Sequence, residues 1–323
     1  MIQTIPSFDK LIAQLGFLLV VDHCSRNCSH CQAFGERSPV ERIPFDELEN
    51  ISFMIKRAAA IAQISVPIPL HCWRVSDPLD YYCKTGSGWK TCYDVAELWR
   101  RVFGQGLYVV TNGSEGTKIG REAVLGLSAQ PDLLNQIKLT ITPYDQEWGT
   151  PKYKADILWD LQQLHLLWQY PCAQRPNELL FRVNAKCSKC SKNELRQFLL
   201  ELVREVGYSF YKANKIIADP QKIAFKPIYD LGNTVNASPP AGVVALPRDV
   251  HGIIKKSPAQ RGEEYFGIRP DGRIFVVNMY RFSERDVVDE SGAYVRFWEI
   301  APGNPRSLAS STSESAYSHC NLR

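Results

Sequence analysis

At 323 residues the chain is long enough to bury a substantial core, and it suits one large domain or one domain with an appendage. Its net charge of +4 and pI near 8.5 are a mild basic excess that neither requires a nucleic-acid partner nor removes one. The composition is ordinary for a soluble globular protein, which sets aside collagen-like and low-complexity classes.

The first segment, Leu11 to Val21, is apolar. It is too short to cross a bilayer, and no small-residue cleavage site follows it. It reads as a buried strand that runs into Cys24-Ser25-Arg26-Asn27-Cys28-Ser29-His30-Cys31. Ten cysteines in a chain of this size without an export signal indicate a reduced, cytoplasmic setting with no membrane partner, which gives metal or catalytic roles to some thiols.

Pro44 then opens a helix whose apolar residues Phe45, Leu48, Ile51, Met54 and Ile55 recur at helical spacing, running to about Ala62. A strand is predicted through Ile68 to Val75, closing on Ser76-Asp77-Pro78. A polar loop holding Cys83, Gly86, Gly88 and Cys92 leads to a helix from Asp94 to Phe103, with Asp94 as N-cap and Gly104 as terminator.

The alternation continues. Leu107 to Val110 reads as a strand that stops at Thr111-Asn112-Gly113, and Lys118 to Leu127 as a helix. Ile137 to Thr142 is a predicted strand, Ala155 to Gln169 a helix, and Leu179 to Ala185 a strand. Asn193 caps a strongly amphipathic helix over Leu195 to Val206, which Gly207 ends, and a sixth strand falls within Ile223 to Ile228. Beyond Leu231 prolines break the rhythm, and Phe266 to Val277 reads as a hairpin turning at Pro270-Asp271-Gly272.

Strands separated by helices imply parallel pairing, in an open doubly wound sheet or a barrel, and in both the ligands gather at the carboxyl ends of the strands. The cysteine loop, Ser76-Asp77-Pro78, Asn112, Thr142 and the Cys187/Cys190 loop all fall at such ends. Three thiolates spaced three and then two residues apart can hold three corners of an iron–sulfur cube and leave the fourth iron open to a small molecule.

The cysteine spacing, its place after the first strand and the later strand-end motifs together resemble the radical SAM superfamily over roughly residues 12 to 230. The resemblance implies an α/β fold, a partial (β/α)6 TIM-like barrel over residues 1–230, with an α+β C-terminal extension over 231–302 and a Ser-rich tail over 303–323. It implies that Cys24, Cys28 and Cys31 ligate one [4Fe-4S] cluster whose open iron chelates S-adenosylmethionine (SAM). Reductive cleavage of SAM would then release a 5′-deoxyadenosyl radical that abstracts hydrogen from a substrate, with a flavodoxin- or ferredoxin-like protein as reductant.

In the same terms, His30 stands where the family carries an aromatic residue packed near the adenine. Ser76, Asp77 and Pro78 stand where it carries a Gly-Gly-Glu-Pro turn that binds the SAM amino group; Asp77 keeps an acceptor and Pro78 the bend. Asn112 matches an ending of the third strand near the ribose. Thr140 and Thr142 are same-face polar positions on the fourth strand, and Arg182 and Asn184 on the fifth, where the Arg182 guanidinium suits the SAM carboxylate.

Cys187, Cys190 and Cys83 are candidate hydrogen donors or redox thiols, and a second cluster at Cys187/Cys190 is the less favoured reading of that pair. A ribosomally made precursor peptide or a protein is the expected substrate, since no nucleic-acid motif is present and the C-terminal hairpin can pair with an extended chain. RNA or a small metabolite is the second enzymatic reading. A zinc-stabilised binding protein, its site completed by His23 or His30, is the non-enzymatic one.

Overall fold

The computed structural model describes residues 5–22, 40–61, 63, 76–141, 149–165, 179–184, 192–219, 223–226, 264–278 and 283–301. The apolar N-terminal run divides in two. Ser7 caps a short helix, α1 (Phe8–Ala13), by accepting the Lys10 N–H, so Leu11 and Ile12 are helical core residues and not the start of a strand. The strand proper is β1 (Leu15–Leu18), followed by β2 (Val21–Asp22).

β2 pairs antiparallel with β3 (Glu41–Arg42), after which α2 (Phe45–Ile61) follows as expected, burying Phe45, Leu48, Ile51 and Ile55. The predicted polar loop around Cys83 is instead a hairpin, β4 (Tyr82–Thr85) and β5 (Gly88–Thr91), turning at Gly86-Ser87. α3 (Cys92–Phe103) begins two residues before Asp94. Thr91 is the N-cap, accepting from the Tyr93 N–H, and Asp94 reaches back to the Thr91 N–H at 2.8 Å. Thr91-x-x-Asp94 is thus a reciprocal capping box, and the cap lies one turn earlier than a lone Asp94 indicates. Gly104 ends the helix in the left-handed conformation.

The parallel sheet is built from β6 (Leu107–Thr111), β7 (Leu134–Ile141), β8 (Leu179–Asn184) and β9 (Ile223–Lys226), in that spatial order. Its crossovers carry α4 (Lys118–Ala129), α5 (Pro151–Leu164), α6 (Lys192–Glu205) and α7 (Phe210–Ala218). α5 begins earlier than predicted because Thr150 caps it and Pro151 occupies its first turn. α6 begins at Lys192, so Asn193 lies inside the helix. α7 was not legible in the sequence pattern; Ser209 caps it by accepting the Lys212 N–H.

The C-terminal hairpin forms β10 (Glu264–Ile268) and β11 (Ile274–Asn278), with Ile268 opposite Ile274, and β12 (Ser283–Asp286) pairs with β11. β10 also lies parallel to β1, giving the order β1-β10-β11-β12. Leu15 and Leu18 pack in the main core with Phe266, Ile268, Ile274 and Val276, while Phe17 and Leu19 form a second cluster with Phe275 and Val277 on the other face. Burial on both faces explains why β1 reads as an unbroken apolar run.

Among the described residues no sheet closes on itself, and no helix is long and apolar enough to cross a membrane. The predicted strand over Ile68 to Val75 and the tail from residue 303 lie outside them. Replacing Thr91 with Ala removes half of the capping box and should lower the unfolding free energy by about 1 kcal/mol in urea titration.

Candidate functional site

The carboxyl end of β6 is where separate parts of the sequence meet. Asp77 is 4% exposed and caps the turn Pro78–Asp80, its Oδ1 accepting the Leu79 N–H at 3.0 Å. The same oxygen accepts the Thr111 hydroxyl at 2.6 Å, and Oδ2 accepts the Asn112 N–H at 2.9 Å. Thr111 Oγ1 accepts in turn from the Gly113 N–H, so one hydroxyl both donates and accepts at the strand end. Ser76, the residue before Asp77, donates its hydroxyl to the Val21 carbonyl at 2.8 Å.

The turn Ser76-Asp77-Pro78 is therefore bonded both to the end of β2, two residues before Cys24's predecessor His23 is passed, and to the end of β6. The far side of the β6 turn is held from α5, where buried Asp160 accepts the Ser114 N–H at 2.8 Å. Gly113 has φ +103°, and a Cβ there would collide with Asp160 Oδ2, so both its conformation and its surroundings require glycine.

Within this patch the predicted residues differ in what they can offer a ligand. Asp77 spends its oxygens mainly on the protein's own donors. Asn112 is half-buried, its backbone is fixed by Asp77, and its carboxamide makes no hydrogen bond among the described residues. Thr140 is buried on β7 with Arg182 of β8 as its register partner, and Asn184 stands opposite Lys226 of β9. Cys24, Cys28, His30, Cys31, Thr142, Cys187 and Cys190 lie outside the described residues.

Cys83 is buried in the main core, in the alternation of the β4–β5 hairpin, as a small apolar group would be. Cys92, at the start of α3, is fully buried; burial first, and then the Asp77 and Asp94 carboxylates, push its pKa far up, so the thiol stays protonated. Among the described residues no three His, Cys, Asp or Glu side chains converge into a metal-binding group.

An ion-pair ring flanks the other side of β2. Asp22 is 4% exposed and accepts from Arg269 Nη1 at 2.6 Å, while Arg269 Nε donates to Asp286 Oδ1 at 2.8 Å. Asp286 also faces Arg273 at 3.6 Å, and Arg273 pairs with Asp271 and reaches Glu41 at 4.0 Å. Glu41 is the register partner of Asp22 across β2 and β3, which closes the ring. Burial lowers the Arg269 pKa, but Asp22 and Asp286 outweigh it and hold the group above its ordinary value. Neither Asp22, Asp160, Thr111 nor Arg269 is marked by local sequence; each matters through a partner distant in the chain.

Two substitutions test this framework. Asp77→Ala strands the buried Thr111 and Asn112 donors and should cost about 3 kcal/mol in urea unfolding. Gly113→Ala should cost about 2 kcal/mol through its positive φ and the Asp160 contact, read as a lowered thermal midpoint.

Comparison with protein families, with characterised proteins and with solved structures finds no match to this chain.

Proposed function

We propose that the protein is a radical SAM enzyme that abstracts hydrogen from a ribosomally made precursor peptide or a protein. The observation that carries this reading is the hydrogen-bonded patch at the strand ends. The cysteine-bearing loop departs from β2, whose Val21 carbonyl is bonded to Ser76, and Asp77 joins that turn to Asn112. Three positions picked out separately in the sequence are thus neighbours beside the start of the cysteine loop.

The donor set fits the cofactor. Cys24, Cys28 and Cys31 supply three thiolates, the number that leaves one iron of a four-iron cube without a protein ligand. The chemistry such a group supplies is one-electron reductive cleavage of SAM to methionine and a 5′-deoxyadenosyl radical. Asn112 offers a carboxamide that can both donate to and accept from a ribose hydroxyl. Asp77 acts by orienting Asn112, and Ser76 by tying its turn to β2. Arg182, in register with Thr140, is the candidate partner for the SAM carboxylate. An extended peptide has the outer strand β12 to add to.

Anaerobic reconstitution followed by iron and sulfide analysis tests the reading. About four irons per chain and a charge-transfer absorption band, both lost in Cys28→Ala, are expected. Stoichiometric zinc with no iron would instead favour a zinc-stabilised binding protein. Reduction with SAM should yield 5′-deoxyadenosine, and deuterium transferred into it from a labelled peptide identifies the attacked carbon. Asn112→Ala should weaken SAM binding roughly tenfold, seen by equilibrium dialysis, with the urea midpoint unchanged, because its carboxamide serves the ligand and not the fold.

A further inference from the structure

The ring of charges between β2 and the C-terminal hairpin is not used by the chemistry above, and it does not resemble a surface ion pair. Arg269 is only 14% exposed and Asp22 5% at the side chain, and they are 247 residues apart in the chain. The guanidinium is held on three sides: Asp22 takes Nη1, Asp286 takes Nε, and the ring of Phe275 lies 4.7 Å from its centre. Two further bonds bring the hairpin to this place. Ile268, next to Arg269, is the register partner of Leu18, and its carbonyl accepts the Leu19 N–H at 2.9 Å.

A guanidinium with fixed donors in a planar fork sets direction as well as distance, which a flexible ammonium does not. Asp22 is the second residue before Cys24, so whatever fixes its side chain fixes where the chain enters the cysteine loop. Burying these charges is costly unless they are paired, and that cost is unnecessary for a hairpin whose apolar strands already pack on β1. The charges therefore call for a role beyond general stability.

We propose that Arg269 is a positioning residue for the cysteine loop, through Asp22, so that the C-terminal hairpin is part of the machinery that holds the metal. The proposal rests on the reading of Cys24, Cys28 and Cys31 as metal ligands, but not on which metal they hold. Groups that orient metal ligands without touching the metal commonly govern how firmly it is held.

The test compares wild type, Arg269→Gln and Arg269→Lys after anaerobic reconstitution, following loss of iron to a chelator and the electron paramagnetic resonance spectrum of the reduced protein. Cys92, buried and protonated, is the internal reference, with its alkylation by iodoacetamide read by mass spectrometry. Arg269→Gln should lose iron about tenfold faster and change the spectrum. Arg269→Lys should restore part of both, and Cys92 should stay unreactive in all three proteins.

If Arg269→Gln holds iron as wild type does, with the same spectrum, the positioning role is overturned while the cluster reading stands. Alkylation of Cys92 rising in step with iron loss, in Gln and Lys alike, would also overturn it, since the arginine would then serve only the fold. Should wild type hold zinc and no iron, the enzymatic reading falls. Faster zinc loss from Arg269→Gln, with Cys92 protected, would still support the positioning role, and unchanged zinc loss would overturn it.

Discussion

A single buried carboxylate organises the candidate site. Removing Asp77 from water is costly unless its oxygens are met by donors, and the protein meets them with the Leu79 and Asn112 amides and the Thr111 hydroxyl. These donors belong to two segments that the chain order keeps apart: the turn at 76–80 and the end of β6. Satisfying one charge thus forces the two together, and Ser76 extends the tie to β2 through the Val21 carbonyl. The Asp77 charge also helps to keep the nearby Cys92 thiol protonated, so the same group that builds the rim keeps a potential nucleophile silent.

β1 supplies a second constraint. An apolar strand with side chains on both faces needs cover on both, and β10 and β11 contribute to each side. The parallel pairing of β10 with β1 brings Arg269 to the end of that strand, where Asp22 lies buried. Apolar burial places the hairpin, and the charged fork then orients what it touches. The two effects are separable because one is nondirectional and the other is not.

The sequence-level readings succeeded where a local rule has a local cause. Gly104 ends α3, the apolar spacing of Phe45, Leu48, Ile51 and Ile55 marks α2, and Pro270-Asp271-Gly272 marks the C-terminal turn. They erred where two local rules compete. Gly86 and Gly88 suggested a loop, but cross-strand pairing of Tyr82 with Thr91 and of Cys83 with Lys90 makes a hairpin. Asp94 has the chemistry of an N-cap, yet Thr91 takes that place because Asp94 is worth more as the third residue, reaching back to the Thr91 amide. Leu11 and Ile12 looked continuous with β1 until the Ser7 cap is counted.

The sequence by itself determined the alternation of helix and strand, the caps that bound most helices, and the spacing of Cys24, Cys28 and Cys31 with the ligand chemistry it implies. These follow from backbone sterics and side-chain type within a few residues. Only the tertiary structure decided that Asp77 faces Thr111 and Asn112, that Asp160 backs Gly113, and that Arg269 grips Asp22. Those pairings join residues from 34 to 247 positions apart. No local pattern encodes them, because each exists to neutralise a charge whose burial is decided by how the whole chain packs.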